Sequence, residues 1–128
     1  MFNWSRNKVE EPPLVLDETY LSRLARHLGD AVLREILSDG LLELSDRLTT
    51  LDGLIAEGES EPTRKLVHDI TGMVGHLGLA RLSRAAADAE RTLREGNTPV
   101  ADATAPLIAE VPEALAAIRY FLDGASSD

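Results

Sequence analysis

The stretch His68-Asp69-Ile70-Thr71-Gly72-Met73-Val74-Gly75 holds the residues of this chain best suited to chemistry. On a helical wheel of about 100° per residue, Leu66, Val67, Ile70, Met73, Val74 and Leu77 share one arc, the face to be buried. His68 falls nearly opposite the centre of that arc. Gly75 and Gly72 flank it, Arg64 and Lys65 precede it by one turn, and Thr71 stands on its shoulder. Imidazole, with an unperturbed pKa of about 6.5, is a largely neutral nucleophile at cytosolic pH. The phosphoramidate it forms with a phosphoryl group is reactive enough to pass that group onward. Arg64 and Lys65, at the i−4 and i−3 positions, are placed to steady the added negative charge.

The glycines sharpen this reading. Each costs a helix about 1 kcal/mol relative to Ala, and an exposed face has no packing need for one. They strip the surface beside His68 of side chains and let another protein's backbone approach closely. A metal ligand would want further ligands nearby, and a general base would want a cleft and an orienting carboxylate. A lone surface histidine is usually only a surface residue, and the glycines weigh against that reading here. His76 lies on the flank of the same helix, where it would pack near the helix end or hydrogen-bond locally. His27, at the end of an earlier helix, suits the helix dipole there and reads as structural.

The elements that must position His68 are all helical. Leu and Ala dominate the 44 % hydrophobic fraction, only 4 % of residues are aromatic, and no alternating Val/Ile run occurs. Asp17 is a suitable N-cap for a short first helix carrying Tyr20, Leu21, Leu24 and Leu28, closed by Gly29. A long second helix, capped by Asp30, carries Val32, Leu33, Ile36, Leu37, Leu41, Leu44, Leu48, Leu51 and Ile55 and ends at Gly58. Gly40 inside it has no evident local reason. Leu33, Leu37 and Leu41 fit either the core or an exposed apolar patch for a partner. Ser60 caps the third helix, which runs to about Leu77 and Gly78. The fourth runs from about Ala80 to Glu95, with Leu82, Ala86, Ala89 and Leu93 on one face. The last starts near Thr98-Pro99, and Pro106 and Pro112 predict a kink or two shorter helices before Gly124. The expected fold class is all-α, an antiparallel four-helix bundle with a short additional N-terminal helix. Residues 1–13 read as an N-terminal tail in which Phe2 and Trp4 could still pack on the domain, 14–124 as the bundle and 125–128 as a C-terminal tail.

Composition narrows the function classes. The 128 residues suffice for one domain, and the absence of cysteine excludes disulfides and thiolate metal sites. Three histidines do not make a metal site, so none is expected. The net charge of −9 argues against nucleic acid and anionic membrane surfaces. No apolar run approaches the ~20 residues of a membrane span, and residues 1–13 lack a secretory signal's apolar core. The expected location is the cytoplasm.

The stretch from His68 to Leu79 resembles the signature of the histidine-containing phosphotransfer (HPt) domain family, matching at His68, Gly72 and Leu77-Gly78. Leu16-Asp17, Leu28-Gly29-Asp30, the leucine-rich second helix and Ala89-Glu90 in the fourth are also similar to the family, so the likeness spans about residues 14–122. The resemblance implies His68 as phosphoacceptor, with Arg64, Lys65 and Thr71 around the phosphoryl group and Gly72 and Gly75 giving a partner access. It implies a response-regulator receiver domain or hybrid histidine kinase as partner. The receiver would bring Mg²⁺ and most catalytic groups, leaving this chain a monomeric phosphocarrier without a cofactor and not an enzyme in its own right. One departure matters: the family's usual Lys three residues after the His is Thr71 here. Either Lys65 or Arg64 substitutes, helped by the Thr71 hydroxyl, or the domain is a non-catalytic adaptor that binds a receiver or kinase and regulates it. A bundle that dimerises through its long helices is a further alternative.

Overall fold

The computed structural model describes residues 13–127. Five helices follow in order: α1 (Glu18–Leu28), α2 (Asp30–Glu57), α3 (Ser60–His76), α4 (Ala80–Glu95) and α5 (Val100–Ser127). No strand occurs among the described residues. Helices α2 to α5 pack in a ring, α2 on α3, α3 on α4, α4 on α5 and α5 back on α2, while α1 lies against α2. This is the all-α bundle with a short leading helix that the periodicity predicts. The expected tail at residues 1–13, with Phe2 and Trp4, lies outside the described residues apart from Pro13, and so does Asp128.

Backbone chemistry at the turns explains the boundaries. The Asp17 carboxylate accepts from the Tyr20 N–H at 3.1 Å and so caps α1. Gly29 (φ 90°) joins α1 to α2, its N–H donating to the Ala25 carbonyl at 2.7 Å. The N-cap of α2 is therefore Gly29 and not Asp30, which is the first helical residue and favours the helix dipole from there. Likewise Glu59, not Ser60, caps α3. Gly58 and Gly96 close α2 and α4 in the left-handed region that disfavours other residues.

The last helix departs from expectation. It is continuous through Pro106 and Pro112, and it runs past Gly124 to Ser127. Each proline removes one backbone hydrogen bond. The carbonyls left without that donor belong to Asp102 and Ile108, both exposed, so water can take the place of the missing N–H.

The core is aliphatic. Leu21, Leu37, Leu44, Leu51, Ile70, Leu79, Leu82, Leu107 and Ile118 are fully buried. Leu33 and Leu37 are buried in this core and so are closed to a partner, and Leu41 is half-buried against it. Leu28, expected on the apolar stripe of α1, is 44 % exposed, and the exposed apolar positions of α2 include Val32 and Ile36.

Gly40 now has a reason. A Cβ built there would lie 2.5 Å from Leu77 Cδ2 and 3.1 Å from Cδ1, so the glycine lets α2 close on the end of α3. Leu77 is itself buried. Gly40→Val is expected to destabilise the domain by about 1–3 kcal/mol through overpacking, despite replacing a helix-breaking residue. Urea denaturation measures this directly, and equal or greater stability would show that Leu77 moves aside freely.

Candidate functional site

His68 sits midway along α3, on the face turned from the core. Val67, Ile70 and Val74 are buried while His68, Gly72, Gly75 and Lys65 are exposed, as the wheel requires. The His68 side chain is 69 % exposed. Nothing lies within 4 Å of a Cβ built at Gly72, and at Gly75 only Ser83 Oγ comes near, at an ordinary 3.5 Å. Neither glycine is needed for packing inside the domain.

What holds the imidazole comes from the neighbouring helix. His68 Nδ1 lies 3.1 Å from each carboxylate oxygen of Glu90 on α4. Glu90 is almost buried, its side chain only 10 % exposed. Burial pushes this carboxyl upward, but hydrogen bonds from His68 and Arg94 and their charges outweigh it, so the net shift is below the usual carboxylate range. Glu90 is therefore an ionised acceptor with no proton to give, and Nδ1 must carry the hydrogen of this bond. In the neutral ring the lone pair is then left on Nε2, which has no hydrogen-bond partner among the described residues.

The cations divide into two kinds. Arg64 is already engaged: Nε and Nη2 bind Glu61 at 3.1 and 2.6 Å, and Nη1 reaches Glu90 at 3.5 Å. This hydrogen bond holds the Glu61 carboxyl below its usual range and raises the Arg64 guanidinium. Lys65 is exposed and has no ion pair within 4 Å among the described residues. Arg64, Lys65, His68, Asp69 and Glu90 together line a shallow depression of about 360 Å³. The Thr71 hydroxyl donates to the Val67 carbonyl at 2.9 Å, and its own carbonyl accepts from Ser83 Oγ at 3.1 Å. Its one proton is committed to its own helix.

His76 is exposed at the end of α3, where its backbone carbonyl accepts from the Tyr20 hydroxyl at 3.0 Å. Its side chain borders a second depression between α2 and α3, together with Ile36, Asp39, Gly40, Asp69 and Met73. Among the described residues no group of three His, Asp or Glu side chains is placed to hold a metal ion, and no helix is long and apolar enough to cross a membrane.

The wheel of α3 cannot show Glu90 or Arg94, because both belong to α4. One signal was available. Glu90 sits on the shoulder of the stripe formed by Leu82, Ala86, Ala89 and Leu93, and a buried carboxylate normally requires partners.

An exposed histidine, tied at Nδ1 to a buried carboxylate and flanked by a glycine-cleared surface, leaves Nε2 open on one face of a helical bundle. The Hpt domain model matches residues 35–121, well over half of the chain, and the chain belongs to that family. No curated protein and no solved structure matched it. Hpt domains perform histidine phosphotransfer in phosphorelays with receiver-domain partners, as phosphocarriers and not as enzymes. The matched span begins inside α2, so α1 lies outside it.

Proposed function

We propose that His68 Nε2 is the phosphoacceptor, exchanging a phosphoryl group with the aspartate of a receiver domain. The observation that carries this reading is the His68–Glu90 pair on an otherwise open helix face. In the forward step Nε2 attacks phosphorus in line, and the bond between phosphorus and the aspartyl oxygen breaks, returning the aspartate as a free carboxylate. The imidazole ring gains positive charge as the new bond forms. Glu90, hydrogen-bonded at Nδ1, stabilises that charge and keeps the proton on Nδ1. A ring carrying that proton is also the better leaving group for onward transfer. Lys65, with no competing ion pair, is the cation best placed to meet the phosphoryl oxygens. Arg64 would first have to loosen its hold on Glu61.

Access supplies the rest. The surface over Gly72 is open, and the partner is expected to rest on α3 and the exposed edge of α2 near Val32 and Ile36. Gly72→Trp is expected to slow transfer at least tenfold by blocking in-line approach, while Gly72→Ala should gain about 1 kcal/mol of stability. Thermal melts and transfer rates on the two variants separate these effects. A Trp variant with the wild-type rate would show that the glycines serve no access.

The committed Thr71 hydroxyl favours one second reading, an adaptor that binds a receiver without accepting phosphate. The deciding assay incubates the chain with a panel of phosphorylated receiver domains and follows acid-labile phosphate on it. Label supports the carrier, and binding without label supports the adaptor.

A further inference from the structure

Three donors converge on one oxygen of Glu90. Oε2 lies 3.1 Å from His68 Nδ1, 3.0 Å from Arg94 Nη2 and 3.5 Å from Arg64 Nη1. Arg64 divides its charge between Glu90 and Glu61, whereas Glu90 is the one ion-pair partner of Arg94 among the described residues. The Arg94 side chain is 60 % exposed, so it is not held there to fill the core.

A carboxylate beside an imidazole favours the ring with both nitrogens protonated. Such a ring has no lone pair with which to attack phosphorus. A guanidinium on the same carboxylate weakens the negative potential felt at the ring and opposes that outcome. We propose that Arg94 is a positioning residue which, acting through Glu90, sets the pH range over which His68 Nε2 is free to attack. The proposal rests on His68 being the acceptor. The other charged groups facing the ring are Arg64, Lys65 and Asp69 on α3, while α2 contributes Asp39 and the ion-paired Glu43 and Arg47 beyond Asp69 in the adjoining depression. Asp69 works with Glu90, and Lys65 works with the arginines.

The test needs no protein partner. Phosphoramidate serves as donor: Nε2 bonds to phosphorus, the donor's P–N bond breaks, and ammonia leaves with the protons already on the donor nitrogen. Nδ1 keeps its proton throughout. The initial rate of labelling is measured from pH 5.5 to 9 on wild type, Arg94→Gln, Arg94→Lys, Glu90→Gln and the Glu90→Gln/Arg94→Gln double variant, with His68→Gln as the blank. For Arg94→Gln the acid limb of the curve is expected to move to higher pH, read as a loss of about threefold on that limb. On the alkaline side, where the donor nitrogen loses its third proton in every reaction alike, the variants should not differ. Arg94→Lys should restore the wild-type curve, and the shift should vanish where Glu90 is already Gln. An unmoved curve, a shift that survives without Glu90, or an equal loss at every pH would overturn the proposal. The last of these would point instead to direct contact with the phosphoryl group or to general damage. Label on the His68→Gln blank, or none on wild type, would overturn the acceptor assignment itself, so the two failures are distinct.

Discussion

His68→Gln is expected to carry no acid-labile phosphate after incubation with any phosphorylated receiver that labels the wild-type chain. The magnitude follows from chemistry, since an amide nitrogen has no available lone pair and nothing else on that face replaces it. His76 is the nearest alternative in sequence, but it borders the other depression, toward α2, and lacks a carboxylate at either ring nitrogen among the described hydrogen bonds. The fold should survive. The His68 side chain is 69 % exposed and contributes nothing to the aliphatic core, so circular dichroism and the melting temperature should remain close to wild type. The variant leaves Glu90 with two arginines, which keeps the buried carboxylate paired. Retained labelling at the wild-type rate would end the assignment of His68. Loss of label together with loss of helicity would mean that the pair with Glu90 holds the bundle together.

The second large effect belongs to Glu90. Glu90→Gln keeps an acceptor for the Nδ1 hydrogen but removes the charge, and a loss of about tenfold in phosphoryl transfer is expected. Glu90→Ala removes acceptor and charge together, frees the ring to change tautomer, and should lose nearer a hundredfold. Both variants should still be labelled slowly, because Nε2 remains. A rate equal to wild type in Glu90→Ala would show that the contact is only structural. Stability carries an independent signature. The Glu90 carboxyl is held below its usual range in the fold, so the unfolded chain binds a proton there more readily than the native one. Its contribution to stability is therefore complete above the usual carboxylate pKa of about 4.3 and fades as pH falls through the lowered native value. Urea midpoints measured downward from pH 6 should fall less steeply in Glu90→Gln than in wild type. Parallel slopes would place the acid sensitivity elsewhere.

Much of this protein is legible in its residues one helix at a time. The three- and four-residue spacing of aliphatic side chains marks every helix. The same spacing in α3 puts Val67, Ile70 and Val74 inward and His68, Gly72 and Gly75 outward, as found. Gly58 and Gly96 mark helix ends because a left-handed residue there is costly for any side chain with a Cβ. Local chemistry was a poorer guide where two residues could serve the same end. Asp30 and Ser60 are good capping types, yet Gly29 and Glu59 hold the cap positions. Two internal prolines did not divide α5, because the residues whose carbonyls they orphan, Asp102 and Ile108, are exposed and water can serve those carbonyls.

Spacing along one chain segment is enough to specify the helices, the exposed histidine and the cleared surface beside it. What touches that histidine depends on how the helices pack. Glu90 is 22 residues away and reaches Nδ1 because α4 packs antiparallel along α3 at that register. The same packing draws Arg64 toward Glu90 while Lys65 stays clear, and the closure of α2 on Leu77 accounts for Gly40. It also separates Leu33 and Leu37 in the core from Val32 and Ile36 outside it. Periodicity names a helix's apolar side, but how far around that side the neighbours reach depends on side-chain volumes and interhelical angles set by the whole bundle.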